Sequence, residues 1–384
     1  MYAKRISSLP PYLFAEIDER KKEARKKGID VIDLSIGDPD LPTPPHVVET
    51  VCNAAKDPIN HRYPSYEGML PFREAVAAWY KHRKHVSLNA EDEVLTLIGS
   101  KEGIAHSALA FLNHGDIALI PDPAYPVYKN ATILANGVPH SVPLTEENEF
   151  KPNMESIDSG VARKAKIMFL NYPNNPTAAT VEKSFFKEIV DFAREHDIII
   201  LHDNPYSELT FDGYEAPSFL AVNGAKEVGV EFNSLSKTYN MTGWRIGFAV
   251  GNSEMLRGLR LVKTNIDSGT FQAVQVAGIS ALTGPQGGIK TNVEIYRERR
   301  DILIDGLKSA GMEVRKPRAT FYLWVKVPST FSSIQFSMFL LERTGVVVTP
   351  GIGFGENGEG FVRFSLCVDA ERIKEACERI NLFM

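Results

Sequence analysis

The sequence predicts an α/β fold in which helices cover both faces of a mostly parallel sheet, followed by a smaller α+β unit. Short apolar runs at 167–170 and 198–201 alternate with longer amphipathic segments such as 185–196. Strands this apolar are buried on both faces, as in parallel sheets built from alternating strands and helices. After the Gly- and Pro-containing segment 284–288, the pattern changes to a long charged helix and short alternating strands.

The individual elements follow from the hydrophobic period of each segment. In the first unit, buried strands are predicted at 94–98, 117–120, 167–170, 198–201 and 228–232, and helices at 72–83, 104–112 and 185–196. In the second unit, helices are predicted at 289–309, 334–343 and 370–381, and strands around 321–327, 346–348 and 361–366. We expect a large α/β domain at 46–284 and a small α+β domain formed by 1–45 and 285–384, with an N-terminal arm.

The composition excludes several classes of protein. The 384 residues include 43 Lys and Arg against 48 Asp and Glu, a formal net charge of −5, so the basic excess of a nucleic-acid-binding domain is absent. The three cysteines form no C-x-x-C pair, which indicates neither a disulfide framework nor a metal cluster and favours a cytoplasmic location. No signal-like segment opens the chain, and no apolar run is long enough to suggest a membrane partner.

Two conspicuous patterns are interpreted without a functional role. Residues 353–358 match G-x-G-x-x-G, but the segment that follows alternates like a strand, whereas a dinucleotide fingerprint opens a helix. We therefore expect a loop there. Arg297, Arg299 and Arg300 lie along the long charged helix and are expected on a solvated face.

Polar loops follow the strands of the predicted sheet, each at the point where a strand ends. They bring a Gly-containing turn, an aromatic ring, amides, a carboxylate and a lysine, at 99–103, 122–125, 171–177, 203–206 and 234–237. Because the carboxyl ends of parallel strands share one edge of an open sheet, we expect these groups to line one crevice.

Three of the polar side chains admit two interpretations each. Ser100 lies between a strand and a helix, where backbone N–H groups favour a phosphate, but taken alone its position favours the N-cap of that helix. Asp203 directly follows a buried strand, so its carboxylate needs a partner, either the protonated ring nitrogen of a cofactor or a nearby arginine. Arg363 lies in an alternating strand, where it either binds an anion such as a substrate carboxylate or is exposed.

The segment Ser234-x-x-Lys237 has two chemical interpretations. It matches the S-x-x-K of penicillin-binding enzymes, but no S-D-N element occurs, and residues 343–345, which imitate K-T-G, close a helix. Alternatively, Lys237 is a nucleophile that forms a Schiff base with a carbonyl. A nearby cation such as Arg245 would disfavour the charged form of the lysine, and the converging loops favour this second interpretation.

Taken together, four motifs in order and spacing resemble the signature of the class I and II aminotransferases of fold type I, which use pyridoxal 5'-phosphate. The motifs are Tyr-Pro-Asn-Asn-Pro-Thr at 172–177, Asp203-x-x-Tyr206, Ser234-x-Ser236-Lys237 and Gly-Trp-Arg-Ile-Gly at 243–247. Three segments, 9–18, 35–44 and 98–106, resemble more narrowly the LL-diaminopimelate aminotransferases. The resemblance covers essentially the whole chain and implies a seven-stranded type of sheet in the large domain.

The resemblance implies roles for individual residues around the cofactor. Lys237 resembles the lysine that forms the Schiff base and then moves the proton of the substrate α-carbon. Asp203 resembles the partner of the pyridinium nitrogen, which it keeps protonated so that the ring withdraws electrons. The other implied contacts are hydrogen bonds from Asn175 and Tyr206 to the phenolic oxygen, stacking by Tyr125, and a phosphate cradle of Ser100, Lys101, Ser234, Ser236 and Arg245.

The same resemblance implies contacts with the substrate and with a second subunit. Arg363 matches the arginine that binds the α-carboxylate, and Gly37 would offer a backbone N–H. Further substrate contacts are implied for Tyr12, Lys101, Tyr125 and Asn175. Tyr63 resembles the tyrosine that reaches the phosphate in the neighbouring subunit, which implies a homodimer with shared active sites.

The activity implied is a ping-pong exchange between small amino and keto acids, specifically tetrahydrodipicolinate and glutamate with LL-diaminopimelate and 2-oxoglutarate, in lysine biosynthesis. Alternatives on the same fold are an aminotransferase for aspartate, alanine or aromatic amino acids, or a β-lyase. A non-catalytic regulator is disfavoured, because the matched chemical residues are all present. One departure is Ala178, where the family usually has glycine; if that turn needs a positive φ, the alanine is strained by about 1 kcal/mol.

Overall fold

The computed structural model describes residues 2–10 and 13–384, with the side chains of all of these except residues 13–16. The helices are α1 Lys4–Ser7, α2 Leu13–Lys26, α3 Pro45–Ala54, α4 Leu70–Lys84, α5 Ser100–Phe111, α6 Val127–Leu134, α7 Ser159–Ala162, α8 Lys183–His196, α9 Ala225–Val228, α10 Leu235–Thr238, α11 Ser253–Thr264, α12 Gln272–Thr283, α13 Gly287–Ser309, α14 Ser333–Thr344 and α15 Ala370–Asn381. The strands are β1 Ile32–Asp33, β2 Val94–Leu97, β3 Ile117–Asp122, β4 Val138–Pro143, β5 Ala165–Asn171, β6 Ile199–Asp203, β7 Gly229–Ser234, β8 Gly247–Gly251, β9 Tyr322–Lys326, β10 Val346–Val347, β11 Thr349–Pro350 and β12 Phe361–Ser365. None of these helices is both long enough and apolar enough to span a bilayer.

Within the described residues, seven strands form the large sheet, in the order β2-β8-β7-β6-β5-β3-β4. Neighbouring strands are parallel except for β8, which runs antiparallel between β2 and β7. The predicted α/β fold with a mostly parallel sheet is confirmed, and the five predicted strands end within two residues of the observed ones. The sequence pattern does not predict β4, which is largely solvent-accessible and carries two prolines, or β8, which begins in a motif interpreted for its chemistry.

Alternate residues of the sheet enter two separate hydrophobic cores, one on each face. Met168 and Leu170 of β5 pack with the apolar faces of α4, α8 and α12. Ile167 and Phe169 of the same strand pack with α5, α6 and α11. Because both faces are covered by helices, the strand has no solvated side, and this explains its continuous apolar sequence.

A third core joins the C-terminal helices to two smaller sheets. The sheet β11-β12-β9 is antiparallel, whereas β1 pairs in parallel with β10. Side chains from α13, α14 and α15 pack with these strands in one cluster. The pairing of β1 with β10 brings the segment that follows it, residues 34–40, next to the C-terminal strands. The segment 353–358 lies in the 3₁₀ turns Gly351–Phe354 and Glu356–Gly358, as the predicted loop requires.

The expectation that the arginines of α13 share a solvated face is wrong for two of the three. Arg299 is 4% exposed and donates to both carboxylate oxygens of Asp40, at 2.7 and 2.8 Å. Arg300 is 0% exposed and donates to both oxygens of Asp212, at 2.7 and 3.2 Å. Arg297 is exposed. The charge run does not reveal this burial, because the partners come from distant parts of the chain.

Arg300→Met is expected to lower the free energy of unfolding by about 2–4 kcal/mol, because Asp212 and the carbonyl of Pro317 would lose a buried cationic partner. The matched control is Arg297→Met on the same helix, which removes an exposed ion pair with Glu294 and should cost less than about 0.5 kcal/mol. Urea denaturation followed by circular dichroism measures both. Equal losses would contradict the structural role of Arg300.

Candidate active site

A cavity of about 400 Å³ lies at the carboxyl ends of the parallel strands, where the large sheet meets the smaller ones. It brings together the predicted residues Gly37, Ser100, Lys101, Tyr125, Asn175, Asp203, Tyr206, Ser234, Ser236, Lys237, Arg245 and Arg363. Tyr63 lies elsewhere on the surface of this chain and is 89% exposed. Tyr12 lies outside the described residues. The loops after β2, β3, β5, β6 and β7 thus share one cavity.

Asp203 is the last residue of β6. Its carboxylate is buried, and only one of the two oxygens has a hydrogen-bond partner among the described residues. Its Oδ2 accepts a hydrogen bond of 2.8 Å from the hydroxyl of Tyr128. Its Oδ1 has no hydrogen-bond partner among the described residues. Burial raises the pKa of Asp203 to about 6, although the hydrogen bond from Tyr128 acts against this shift. A cationic N–H donor at Oδ1 would satisfy the lone oxygen and stabilise the charged carboxylate, which is what a protonated pyridine nitrogen supplies.

Lys237 lies in the single turn α10, and its amine reaches back to the segment after β1. Nζ donates a hydrogen bond of 2.8 Å to the carbonyl of Gly37 and lies 5.5 Å from the centroid of the Phe321 ring. Burial of the amine lowers the pKa of Lys237; Cys367 and Asp38 oppose this shift, and the positive charges of Arg245 and Arg363 add to it. A lowered pKa leaves more of the lysine neutral, as a nucleophile or a proton acceptor requires.

The start of α5 is built for the close approach of an anion. Gly99, with φ of +114°, is the N-cap of this helix, and a Cβ there would lie 2.3 Å from Nη2 of Arg245. A Cβ on Gly247 would lie 3.1 Å from the Ser100 nitrogen, so glycine keeps this backbone open on both sides. Ser100 is the first helical residue rather than the N-cap, and that interpretation of it is wrong. The N–H groups at the start of this helix and the Arg245 guanidinium favour a phosphate.

Ser234 is the N-cap of α10 rather than a nucleophile paired with a base. Its Oγ accepts the backbone N–H of Ser236 at 3.2 Å. The amine of Lys237 is directed to the carbonyl of Gly37 instead of to this oxygen. The arrangement therefore favours Lys237 over Ser234 as the reactive group.

Arg363 is buried, so the interpretation as an exposed strand residue is wrong. Its guanidinium donates to Oδ1 of Asn175 and to the carbonyl of Ser35, both at 2.7 Å. The guanidinium carbon also lies 4.2 Å from the ring centroid of Tyr322 and 4.7 Å from that of Phe354. A planar cation held in this way at the cavity wall suits a carboxylate.

The motifs do not reveal several residues that shape the cavity. Asn171 ends β5, donates to the carbonyl of Asp203 at 2.7 Å and accepts the N–H of Asn175 at 2.7 Å. Tyr128 could have been identified, because it lies one helical turn from Tyr125 at the start of α6. Tyr322 and Phe354 lie in segments whose pattern indicates only a strand and a loop, so the sequence gives no signal for them.

Ala178 has a φ of +56°, the left-handed conformation that glycine would adopt without strain. Its N–H donates to the carbonyl of Asn174 at 3.0 Å, and its methyl group packs in the same core as Tyr206. The strain expected from the sequence is therefore present, at about 1 kcal/mol.

A group of potential metal ligands lies near the start of α5. Glu102, His106 and Asp267 bring ligand atoms within 4.8 Å of one another. The ammonium of Lys263 lies among them, 3.3 Å from Glu102 and 2.8 Å from Asp267. Because this lysine already neutralises both carboxylates, the group gives no argument for a metal ion.

Similarity to known proteins extends along the whole chain. The family model described as aminotransferase class I and II matches residues 29–380. The chain is 57% identical to the LL-diaminopimelate aminotransferase of Syntrophobacter fumaroxidans over 379 residues, which cover 99% of this chain and 98% of that protein. It is 55% identical to the protein of the same name from Halothermothrix orenii, with 99% and 97% covered.

Solved structures agree with the fold and with the family. Substrate-bound BacF from Bacillus subtilis has a TM-score of 0.95 and 40% identity, covering 100% of this chain and 97% of that one. A probable N-succinyldiaminopimelate aminotransferase from Thermus thermophilus has a TM-score of 0.92 and 41% identity, covering 97% and 100%. The half-satisfied Asp203 and the cradle at α5 fit the cofactor of these enzymes. The chain therefore belongs to the class I and II aminotransferases and is a pyridoxal-phosphate-dependent transaminase.

Proposed function

We propose that this transaminase exchanges the amino group between LL-diaminopimelate and 2-oxoglutarate, with tetrahydrodipicolinate and glutamate as the other pair, in lysine biosynthesis. The observation that carries the choice of substrate is the identity of 52–57%, over nearly the whole chain, to proteins of that name. Solved structures with other names are less similar: BacF and a probable N-succinyldiaminopimelate aminotransferase are 40% and 41% identical, and an aromatic and an aspartate aminotransferase are 32% and 28% identical. The shared fold alone does not select the substrate.

The cavity residues divide into those that would hold the cofactor and those that would act on the substrate. Pyridoxal 5'-phosphate supplies an electron-withdrawing ring for the α-carbon of the amino acid. Asp203 would hold its ring nitrogen, and Asn175 and Tyr206 its phenolic oxygen. The phosphate would be held by Ser100, Lys101, Ser234, Ser236 and Arg245. Tyr125, at the start of α6, would cover one face of the ring.

Lys237 and Arg363 would act on the substrate from two sides of the cavity. The neutral amine of Lys237 accepts a proton at Nζ, and the carbonyl of Gly37, 2.8 Å away, stabilises the ammonium that results. Arg363 binds the α-carboxylate through its planar fork of donors. The N–H of Gly37 and the side chains of Lys101 and Tyr12 remain predicted substrate contacts.

We also propose a homodimer with shared active sites, in the cytoplasm. Tyr63 is 89% exposed and lies outside the cavity of its own chain, beside Phe271. Ile59, Tyr66, Ile266 and Phe271 are also exposed, and apolar side chains in this number favour burial against another protein surface. In a dimer, Tyr63 would reach the phosphate in the partner's cavity.

The substrate is tested by titrating the cofactor-loaded enzyme with amino donors in a spectrophotometer. LL-Diaminopimelate is expected to bleach the visible band of the cofactor, and 2-oxoglutarate to restore it with formation of glutamate. We expect its kcat/KM to exceed those of L-aspartate, L-phenylalanine and N-succinyl-LL-diaminopimelate by at least about 10-fold. A better donor among these three would reassign the substrate and leave the transaminase in place.

Lys237→Ala is expected to lower transamination by at least about 100-fold, because the site loses its proton acceptor. The variant should also lose the visible absorbance that the cofactor acquires on binding to the wild-type protein. Lys187→Ala, at an exposed position of α8, is the matched control and should change neither property. Turnover retained in Lys237→Ala would overturn the role of this lysine.

Shared active sites are tested by mixing two inactive variants. Tyr63→Ala should lose activity at low cofactor concentration, and Lys237→Ala should be inactive at any concentration. After subunit exchange, each hybrid dimer would contain one intact site, so about a quarter of wild-type activity should return for random pairing of two equal populations. A mixture that stays inactive, although mass spectrometry detects hybrid dimers, would show that Tyr63 serves its own chain.

A further inference from the structure

Tyr322 contacts three parts of the cavity: Arg363, Tyr206 and the backbone of Gly37. It is the first residue of β9, is 2% exposed and lines the cavity. Two residues earlier, Thr320 has a φ of +69°, an unfavourable conformation for a β-branched residue. The hydroxyl of Thr320 accepts the backbone N–H of Tyr322 at 3.1 Å. The strand therefore starts from a strained turn that sets the direction of the Tyr322 side chain.

The ring of Tyr322 forms one of two aromatic contacts with Arg363. The guanidinium carbon lies 4.2 Å from this ring and 4.7 Å from the ring of Phe354. At its edge, the guanidinium donates to Asn175 and to the carbonyl of Ser35. The hydrogen bonds restrict where the guanidinium lies within its own plane. The aromatic contacts, which are attractive when buried, restrict the orientation of that plane.

The hydroxyl of Tyr322 contacts the hydroxyl of Tyr206 and the backbone of Gly37. It lies 3.3 Å from the hydroxyl of Tyr206, whose ring is 5.8 Å away at an interplanar angle of 74°. A Cβ on Gly37 would lie 1.8 Å from the same oxygen, so the backbone of Gly37 rests directly against it. The carbonyl of Gly37 is the acceptor for Lys237. Burial raises the pKa of Tyr322, so its hydroxyl stays protonated beside Tyr206.

We propose that Tyr322 is a positioning residue of the transamination, whose ring orients Arg363 toward the substrate carboxylate and whose hydroxyl holds Tyr206 and the Gly37 backbone in place. The proposal rests on the proposed role of Arg363 in binding carboxylates. A tyrosine that only fills the core would contact apolar neighbours, whereas Tyr322 contacts an arginine, a phenol and the backbone that binds the lysine.

The contact with Arg363 is tested by the affinity of the cofactor-loaded enzyme for maleate, a dicarboxylate without an amino group, measured by calorimetry. Tyr322→Met fills a similar volume without an aromatic face and is expected to weaken maleate binding by about 10-fold. The matched control is Tyr214→Met, which removes a ring 4.4 Å from Arg318, outside the cavity, and should leave the affinity within about twofold.

A double-mutant cycle separates an effect through Arg363 from a general loss of structure. Arg363→Lys alone should weaken maleate binding. In the Arg363→Lys background, Tyr322→Met should lower the affinity for maleate by less than about twofold more. Full additivity would overturn the proposal. If Arg363→Lys weakens maleate but Tyr322→Met does not, the inference on Tyr322 fails alone. If Arg363→Lys leaves the affinity unchanged, the proposed role of Arg363 fails together with it.

Tyr322→Phe tests the hydroxyl and does not depend on whether the methionine variant folds. It keeps the ring, so maleate should bind within about threefold of the wild type. Its kcat should fall by about 2- to 10-fold, because Tyr206 loses a hydrogen-bond partner. An unchanged kcat would overturn the part of the proposal that concerns the hydroxyl. Maleate binding as weak as in Tyr322→Met would overturn the part that concerns the ring.

Discussion

The buried carboxylate of Asp203 is the constraint around which the site is built. It lies at the end of a central strand, where burial raises its pKa to about 6. The hydroxyl of Tyr128 satisfies one of its oxygens, and the other has no hydrogen-bond partner among the described residues. A group in this state is costly in an otherwise packed protein, and a cationic nitrogen in the cavity removes that cost. In the proposed binding mode, Asp203 would give the pyridine ring of the cofactor a fixed place relative to the sheet.

Four cationic side chains, Lys101, Lys237, Arg245 and Arg363, line the cavity with Asp203 and a second carboxylate, Asp38. Burial lowers the pKa of Lys237, and the charges of Arg245 and Arg363 add to this shift, whereas Asp38 opposes it. The excess of positive charge matches ligands that carry a phosphate and carboxylates. It also makes the protein's own lysine a better proton acceptor, so one arrangement of charge serves both binding and chemistry.

Three of the ten non-glycine residues with positive φ in the described part of the chain lie in or next to segments of this cavity. Ala178, Arg245 and Thr320 all have positive φ values, of +56°, +55° and +69°. Each lies in or next to a segment that lines the cavity: the loop of Asn175, the segment of Arg245 itself and the strand of Tyr322. Strained residues of this kind persist where the surrounding packing over-determines them. Here the core that holds Ala178 also holds Tyr206 and Tyr322, which ties the strain to the positions of the catalytic loops.

The sequence by itself determined the periodic elements and the local chemistry. Apolar runs identify the parallel strands because both faces of those strands are covered, and the motifs around Asn175, Asp203 and Lys237 identify the family because their spacing is local. The edge strand β4, which contains two prolines, has no such period, and the motif that overlaps the start of β8 was interpreted for its chemistry rather than as a strand. Burial of a charge is equally invisible in a local pattern, as Arg299 shows, because its partner Asp40 is 259 residues away.

The tertiary structure alone decided how distant residues meet. Arg363 is buried because the carbonyl of Ser35, 328 residues away, lies beside it. Tyr322 acquires its contacts because β9 is placed against the segment after β1 and the end of β6. Local sequence fixes the period and the reactive group, whereas burial and orientation depend on which segments pack together, and that is a property of the whole chain.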